Sequence, residues 1–138
     1  MLSVSLGGGD AGSGHRSHVV MFRNTGGTPC QLQGYPGVAA IDGDGKQVAQ
    51  AARTERGYLG GLASGRNVPT VTLAAGQSAS AMVEGLGFNA SDGSACTAYK
   101  GFDVTAPEDT GSTRLMVATD LCSDLQVHPI VVGTTGRQ

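Results

Sequence analysis

At 138 residues the chain suits a single domain, and a domain of this size buries roughly 68–70% of its unfolded surface, so a true core is within reach. Apolar residues make up 39%, with no Trp and only three Phe and three Tyr, so that core is expected to be aliphatic, and 23 Gly and five Pro leave no stretch that reads as a long helix. Nine Lys and Arg against eleven Asp and Glu give a formal charge of −2 with no basic track for a phosphate backbone, and apolar runs such as Val19-Val20-Met21-Phe22 fall far short of the ~20 residues of a membrane helix; neither nucleic acid nor a membrane span is expected.

Leu2 to Leu6 alternates apolar and polar side chains and reads as a strand. It follows Met1 with no charged or apolar leader, so an export signal is not expected within this sequence. That start suits either a cytoplasmic protein or a trimmed mature domain. GGGDAG, residues 7–12, formally satisfies G-x-G-x-x-G. A dinucleotide site needs a helix to begin there, and Ser13-Gly14-His15-Arg16 leads instead to the next strand, His18 to Asn24. Further strands are expected at Gly37 to Asp42, Lys46 to Ala52, Thr70 to Ala74, Ser78 to Gly85, Gly101 to Thr105, Ser112 to Thr119 and Leu125 to Val132. Short strands at this spacing, with no intervening helical patterns, predict an all-β fold: an immunoglobulin-like antiparallel sandwich of about seven to nine strands, residues 1–138 forming one domain.

Between these strands, Tyr35-Pro36-Gly37 predicts a sharp corner, because Pro fixes φ near −65° and biases its predecessor toward an extended shape. The Tyr35 ring is expected to pack there. Asp42-Gly43-Asp44-Gly45 has the alternate carboxylates of a calcium loop but neither the flanking helices nor the distal Glu, and Asp-Gly is a hairpin signal. Two connections are long, residues 53–69 and 86–98. The first carries Arg53, Arg56, Tyr58 and Arg66 and is the candidate binding loop, set against the plainer reading of a solvated Gly-rich connection.

His15, His18 and His128 are the candidates for an alternative function, a metal-dependent or hydrolytic enzyme. His15 and His18, three apart on an extended segment, face opposite sides and share a metal only across a bend. H-E-x-x-H, C-x-x-C and G-x-S-x-G are all missing from the sequence, so no cofactor, metal or catalytic residue is assigned. Cys30, Cys96 and Cys122 are too dispersed for a zinc knuckle. In an exported sandwich Cys96 and Cys122 would close a loop, a crosslink worth roughly 3.5 kcal/mol in the chain-entropy model. Cys30 is then left unpaired, its expected partner lying upstream of Met1.

Taken together, Leu2-Ser3-Val4-Ser5-Leu6-Gly7, Phe22-Arg23-Asn24-Thr25-Gly26, the C-x-L-x-G-Y-P-G-V run from Cys30 to Val38, Val71-Thr72-Leu73-Ala74-Ala75-Gly76-Gln77-Ser78-Ala79, and the two later cysteines resemble domain-of-unknown-function family 4232. The resemblance covers nearly the whole chain. It implies an exported or lipoprotein-borne domain of the actinobacterial cell envelope, with a further cysteine ahead of the first strand in most members. It carries no catalytic residues. The expected role is a secreted or envelope-located, non-catalytic binding or interaction module whose partner is an envelope protein or glycan; the oligomeric state is left open.

Overall fold

The computed structural model describes residues 1–138 except Glu108 and Thr110, and the described residues form strands, turns and loops with no helix. The strands are β1 (Leu2–Gly12), β2 (His15–Asn24), β3 (Cys30–Gln33), β4 (Gly37–Ile41), β5 (Gln47–Gln50), β6 (Ala52–Arg53), β7 (Thr70–Leu73), β8 (Ser78–Leu86), β9 (Gly101–Thr105), β10 (Ser112–Met116), β11 (Ser123–Val127) and β12 (Val131–Val132). The first sheet runs β1-β2-β8-β11-β6, with β12 also on β8; the second runs β10-β9-β4-β5; β3 and β7 form a separate pair. The all-β, sandwich-like architecture read from the sequence is what the chain adopts. One pair, β6 with β11, is parallel.

The interior is built by alternation. Val20 and Phe22 of β2 and Ala79, Ala81 and Val83 of β8 point inward from the first sheet. Val38, Ala40, Phe102 and Val104 meet them from the second, and Leu32, Val71 and Leu73 of the β3–β7 pair belong to the same cluster. Alanines beside fully buried Phe22 and Phe102 let large and small side chains interlock, which is how an aromatic-poor chain reaches dense packing. Asn24, wholly buried where β2 ends, is satisfied on both sides of its amide. Its Nδ2 donates to the carbonyls of Thr28 (2.8 Å) and Leu73 (3.0 Å), and its Oδ1 accepts from the Gly26 amide.

Several elements depart from the sequence reading in extent. β1 continues through GGGDAG to Gly12, because β2 supplies a ladder partner for every residue from Gly9 onward, and an extra residue is absorbed as a bulge between Leu6 and Gly9. The hairpin closes on Ser13 and Gly14, both at positive φ. β3 was read as connection and is a strand, paired to β7 along its whole length. The expected strand from Leu125 to Val132 is two, since His128 turns its side chain into the protein between β11 and β12.

The Asp-Gly turn reading holds, whereas the corner expected at Tyr35-Pro36-Gly37 falls one residue earlier, at Gly34 with φ +94°, and Gly37 already opens β4. Asp42 Oδ1 accepts from the amides of Asp44 and Lys46, both at 2.9 Å, so this carboxylate organises the β4–β5 hairpin. Tyr35 packs its ring against the core, and its phenol pKa is raised by burial first and by the charge of Glu55 second, with Arg53 opposing.

On the second sheet, Arg114 grips Asp103 with two parallel bonds, Nε to Oδ1 at 2.8 Å and an Nη to Oδ2 at 3.1 Å, and reaches the Gly45 carbonyl. The Arg114 bonds, followed by that from Gln47, hold the Asp103 carboxyl below its ordinary value. A lowered folded pKa means that the stabilisation is present above the unfolded value and is lost as pH falls through the folded one. Replacing Arg114 with Gln is expected to lower stability only slightly at neutral pH, as for exposed pairs. Titration of the Asp103 carboxyl carbon by NMR should show its midpoint moving up; an unmoved midpoint would remove Arg114 as the cause.

Candidate functional site

β8 is buried on both faces. Ser80, Met82 and Glu84 point away from the sandwich core, yet they are almost fully enclosed. Two segments cover them: the loop at residues 55–62 and the stretch at residues 133–137. The loop is closed by the Leu62 amide donating to the Glu55 carbonyl at 2.8 Å, with the Gly57 amide bonded to the Gly60 carbonyl inside it. It is a small Ω-loop folded down on the sheet rather than a solvated connection.

Beneath it lies an ionisable pair. Glu84 and His128 are 1% and 0% exposed, and Glu84 Oε1 is bonded to His128 Nε2. His128 Nδ1 donates to the Thr54 carbonyl at 2.9 Å, with the Thr54 hydroxyl at 3.0 Å. The other Glu84 oxygen accepts from the Leu59 amide at 3.0 Å. Burial pushes the Glu84 carboxyl up, but the bond from His128, then those from the Leu59 backbone and the His128 charge, outweigh it and hold the pKa below 4.5. The lid approaches this pair by bare main chain. A Cβ on Gly57 would lie on the Glu84 carboxylate and 2.9 Å from His128 Nε2; one on Gly61, at φ +104°, would lie 2.6 Å from the Glu55 carbonyl oxygen. The glycines of the long loop are therefore what lets it seal the pair.

The three histidines have separate surroundings. His128 is enclosed. His15 stacks flat on Tyr58, ring centres 3.9 Å apart and planes 7° from parallel. His18, on the opposite face of β2, bonds Thr119 Oγ1 at 2.8 Å and tilts against Phe102. Burial lowers the His18 pKa, which keeps the ring neutral at physiological pH. Among the described residues no group of three or more His, Cys, Asp or Glu is placed to hold a metal ion.

Of the loop residues singled out in the sequence, Arg56 and Tyr58 come together. They line a shallow hollow of about 290 Å³ with Arg137, and Arg56 Nε is fastened to the Leu62 carbonyl at 3.2 Å. Tyr58 is 62% exposed. Arg53 is instead in β6, beside Tyr35 in a different hollow, and Arg66 is exposed with its amide closing a turn onto Ala63. Cys96 and Cys122 form a disulfide, Cα atoms 5.8 Å apart, and Cys30 is a half-buried free thiol on β3 opposite Leu73.

A wider groove of about 690 Å³ opens where the β1–β2 hairpin meets residues 118–120, lined by Asp10, Arg16, His18, Thr119 and Asp120 among others. Arg16 and Asp120 face each other across it at 3.4 Å. Sequence reading found His18 here but not Thr119 and Asp120, which lie about a hundred residues further along the chain and share no motif with it.

Comparison with known families decides the relationship: the model described as Domain of unknown function (DUF4232) matches residues 1–135. The chain belongs to this family. The likeness carried by the Cys30 to Val38 run and its companions therefore holds over nearly the entire sequence. No curated protein and no solved structure matches this DUF4232 chain significantly.

Proposed function

We propose that the chain is a non-catalytic recognition module of an exported, cell-envelope protein, and that it contacts its partner, a wall glycan or an envelope protein, through the face bearing Tyr58 and Arg56. The observation that carries this reading is the display of Tyr58. A large aromatic ring stands exposed while its backbone is pinned in a hydrogen-bonded loop and its other face is backed by His15. Rigid, exposed aromatics with a neighbouring Arg are the side chains that dominate recognition surfaces, because they bring large contact area at little cost in conformational entropy. The Cys96–Cys122 disulfide is compatible with an oxidising compartment outside the cytoplasm. Supporting the non-catalytic part, each histidine is engaged in a different contact, and the one with a carboxylate partner is shut away from solvent.

Purified peptidoglycan and envelope proteins should retain the wild-type chain and release the Tyr58→Ala/Arg56→Ala double variant, with the melting temperature shifted by only a few degrees. Equal retention of the two proteins by every fraction would remove this face from consideration.

A further inference from the structure

The palindrome Leu2-Ser3-Val4-Ser5-Leu6 forms the straight part of an open sheet edge, since β1 ends the first sheet. The Thr25 amide donates to the Met1 carbonyl at 3.0 Å, so Met1 and Thr25 are a hydrogen-bonded pair. Such pairs alternate along an antiparallel ladder, which puts Ser3 and Ser5, opposite Arg23 and Met21, in the same class. The N–H and C=O groups of Leu2, Val4 and Leu6 therefore turn away from β2. Asn24, opposite Leu2, shows the alternation from its own side: its backbone bonds run to Gln77 and Gly76, away from β1. The outward groups meet no further strand among the described residues.

An open edge of this kind is a template for another strand, and proteins usually blunt it with charge, Pro or a bulge. The bulge between Leu6 and Gly9, and then Asp10, do this for the second half of β1. The first half has none of these devices. Its apolar side chains are also incompletely covered. Leu2, Val4 and Leu6 pack on the core yet stay half-buried, and so do Leu115 and Val117 at β10, the strand that ends the second sheet. β1 and β10 approach each other, so these side chains share one flank of the sandwich.

The sequence of the edge selects its occupant. Read in reverse the segment is unchanged, so a second copy laid antiparallel about Val4 meets Leu6 with Leu2, Ser5 with Ser3 and Val4 with Val4. Each outward N–H then finds a carbonyl, like side chains meet like on both faces, and no charge opposes another. We propose that two copies of the chain associate through Leu2–Leu6 of β1, in a closed two-fold dimer that continues the first sheet from one copy into the next. The half-buried apolar strips of the two flanks come together in it. Both copies use the same surface, so the pairing occupies the edge and cannot propagate. The contact is short, which places its affinity with those of small, transient interfaces. This goes beyond the recognition role given above and does not depend on it.

The test is sedimentation equilibrium of the full chain from micromolar to millimolar concentration, with backbone amide exchange followed by NMR at both ends of that range. Dimer mass should appear as the concentration rises. The amides of Leu2, Val4 and Leu6, which face outward in the single chain, should gain protection with it. Ser3 and Ser5 are exposed, so substitutions there should leave the melting temperature of the dilute chain unchanged. Ser3→Glu/Ser5→Glu sets carboxylate against carboxylate across the pairing and should weaken association about tenfold. Ser3→Glu/Ser5→Lys sets opposite charges across the same register and should hold the dimer at or above its wild-type strength. A monomer throughout the range, a dimer without protection at Val4 and Leu6, equal association of the two double variants, or assemblies growing beyond two copies would each overturn the assignment.

Discussion

Glu84→Ala is expected to destabilise the fold by about 3–5 kcal/mol, the range for removing one member of a buried, hydrogen-bonded ion pair. That is a large part of the roughly 5–15 kcal/mol that holds a domain together. The variant leaves His128 Nε2 and the Leu59 amide without their acceptor beneath a closed lid. Urea denaturation gives the magnitude, and hydrogen exchange locates it: the amides of Leu59 and Leu62 should lose protection before those of β2. Replacing both partners, Glu84→Leu with His128→Leu, should cost less than Glu84→Ala alone, since no buried polar group is then stranded. A double variant less stable than the single would show that packing, rather than the pair, is at stake.

The same pair has a pH signature. The folded Glu84 carboxyl lies below its ordinary value of 4.5. Its contribution is therefore complete above that value and is lost as pH falls through the lower folded one. Wild type and Glu84→Gln should accordingly converge in stability as the solution is acidified and diverge toward neutrality. A gap that stayed constant from neutral pH to well below 4 would rule out ionised Glu84 as the source.

Cutting the crosslink between Cys96 and Cys122 should cost roughly 3.5 kcal/mol in the chain-entropy account. The bridge joins residues 26 apart and fastens the long connection after β8 to the approach to β11. Those stretches have few other ties: Tyr99 N to the Leu121 carbonyl, Cys122 N to the Leu86 carbonyl, and the Ser123 hydroxyl to the Phe88 carbonyl. Cys96→Ser/Cys122→Ser and the reduced wild type should lose stability equally. Cys30→Ser, which touches no bridge, should change it by no more than about 0.5 kcal/mol. Equal urea midpoints for oxidised and reduced wild type would contradict the entropic account.

The elements that could be read from the sequence are those whose neighbours enforce alternation. Thr70 to Leu73 exposes and buries its residues in turn, and its pattern marks a strand whatever it pairs with. Cys30 to Gln33 has only one fully buried residue, Leu32, and its strand character comes from β7, some forty residues away. GGGDAG has no apolar pattern at all, and it is extended because β2 lies alongside. The candidate site was legible only in part. The loop at residues 53–69 stood out by its glycines, and Tyr58 with it. Glu84, within the strand read as Ser78 to Gly85, belongs to no motif. Nothing local announces that a loop thirty residues earlier covers it, or that His128 arrives from the opposite side.

The lid over Glu84 and His128 touches them with peptide groups at Gly57, Gly60 and Gly61, while the side chains of Tyr58 and Arg56 point elsewhere. Substitutions at those two positions leave the peptide groups that meet the pair in place and remove only the Arg56 bond to the Leu62 carbonyl and the Tyr58 stack on His15. Within such an architecture the outward residues of the loop can change while the glycines beneath it have to stay as they are.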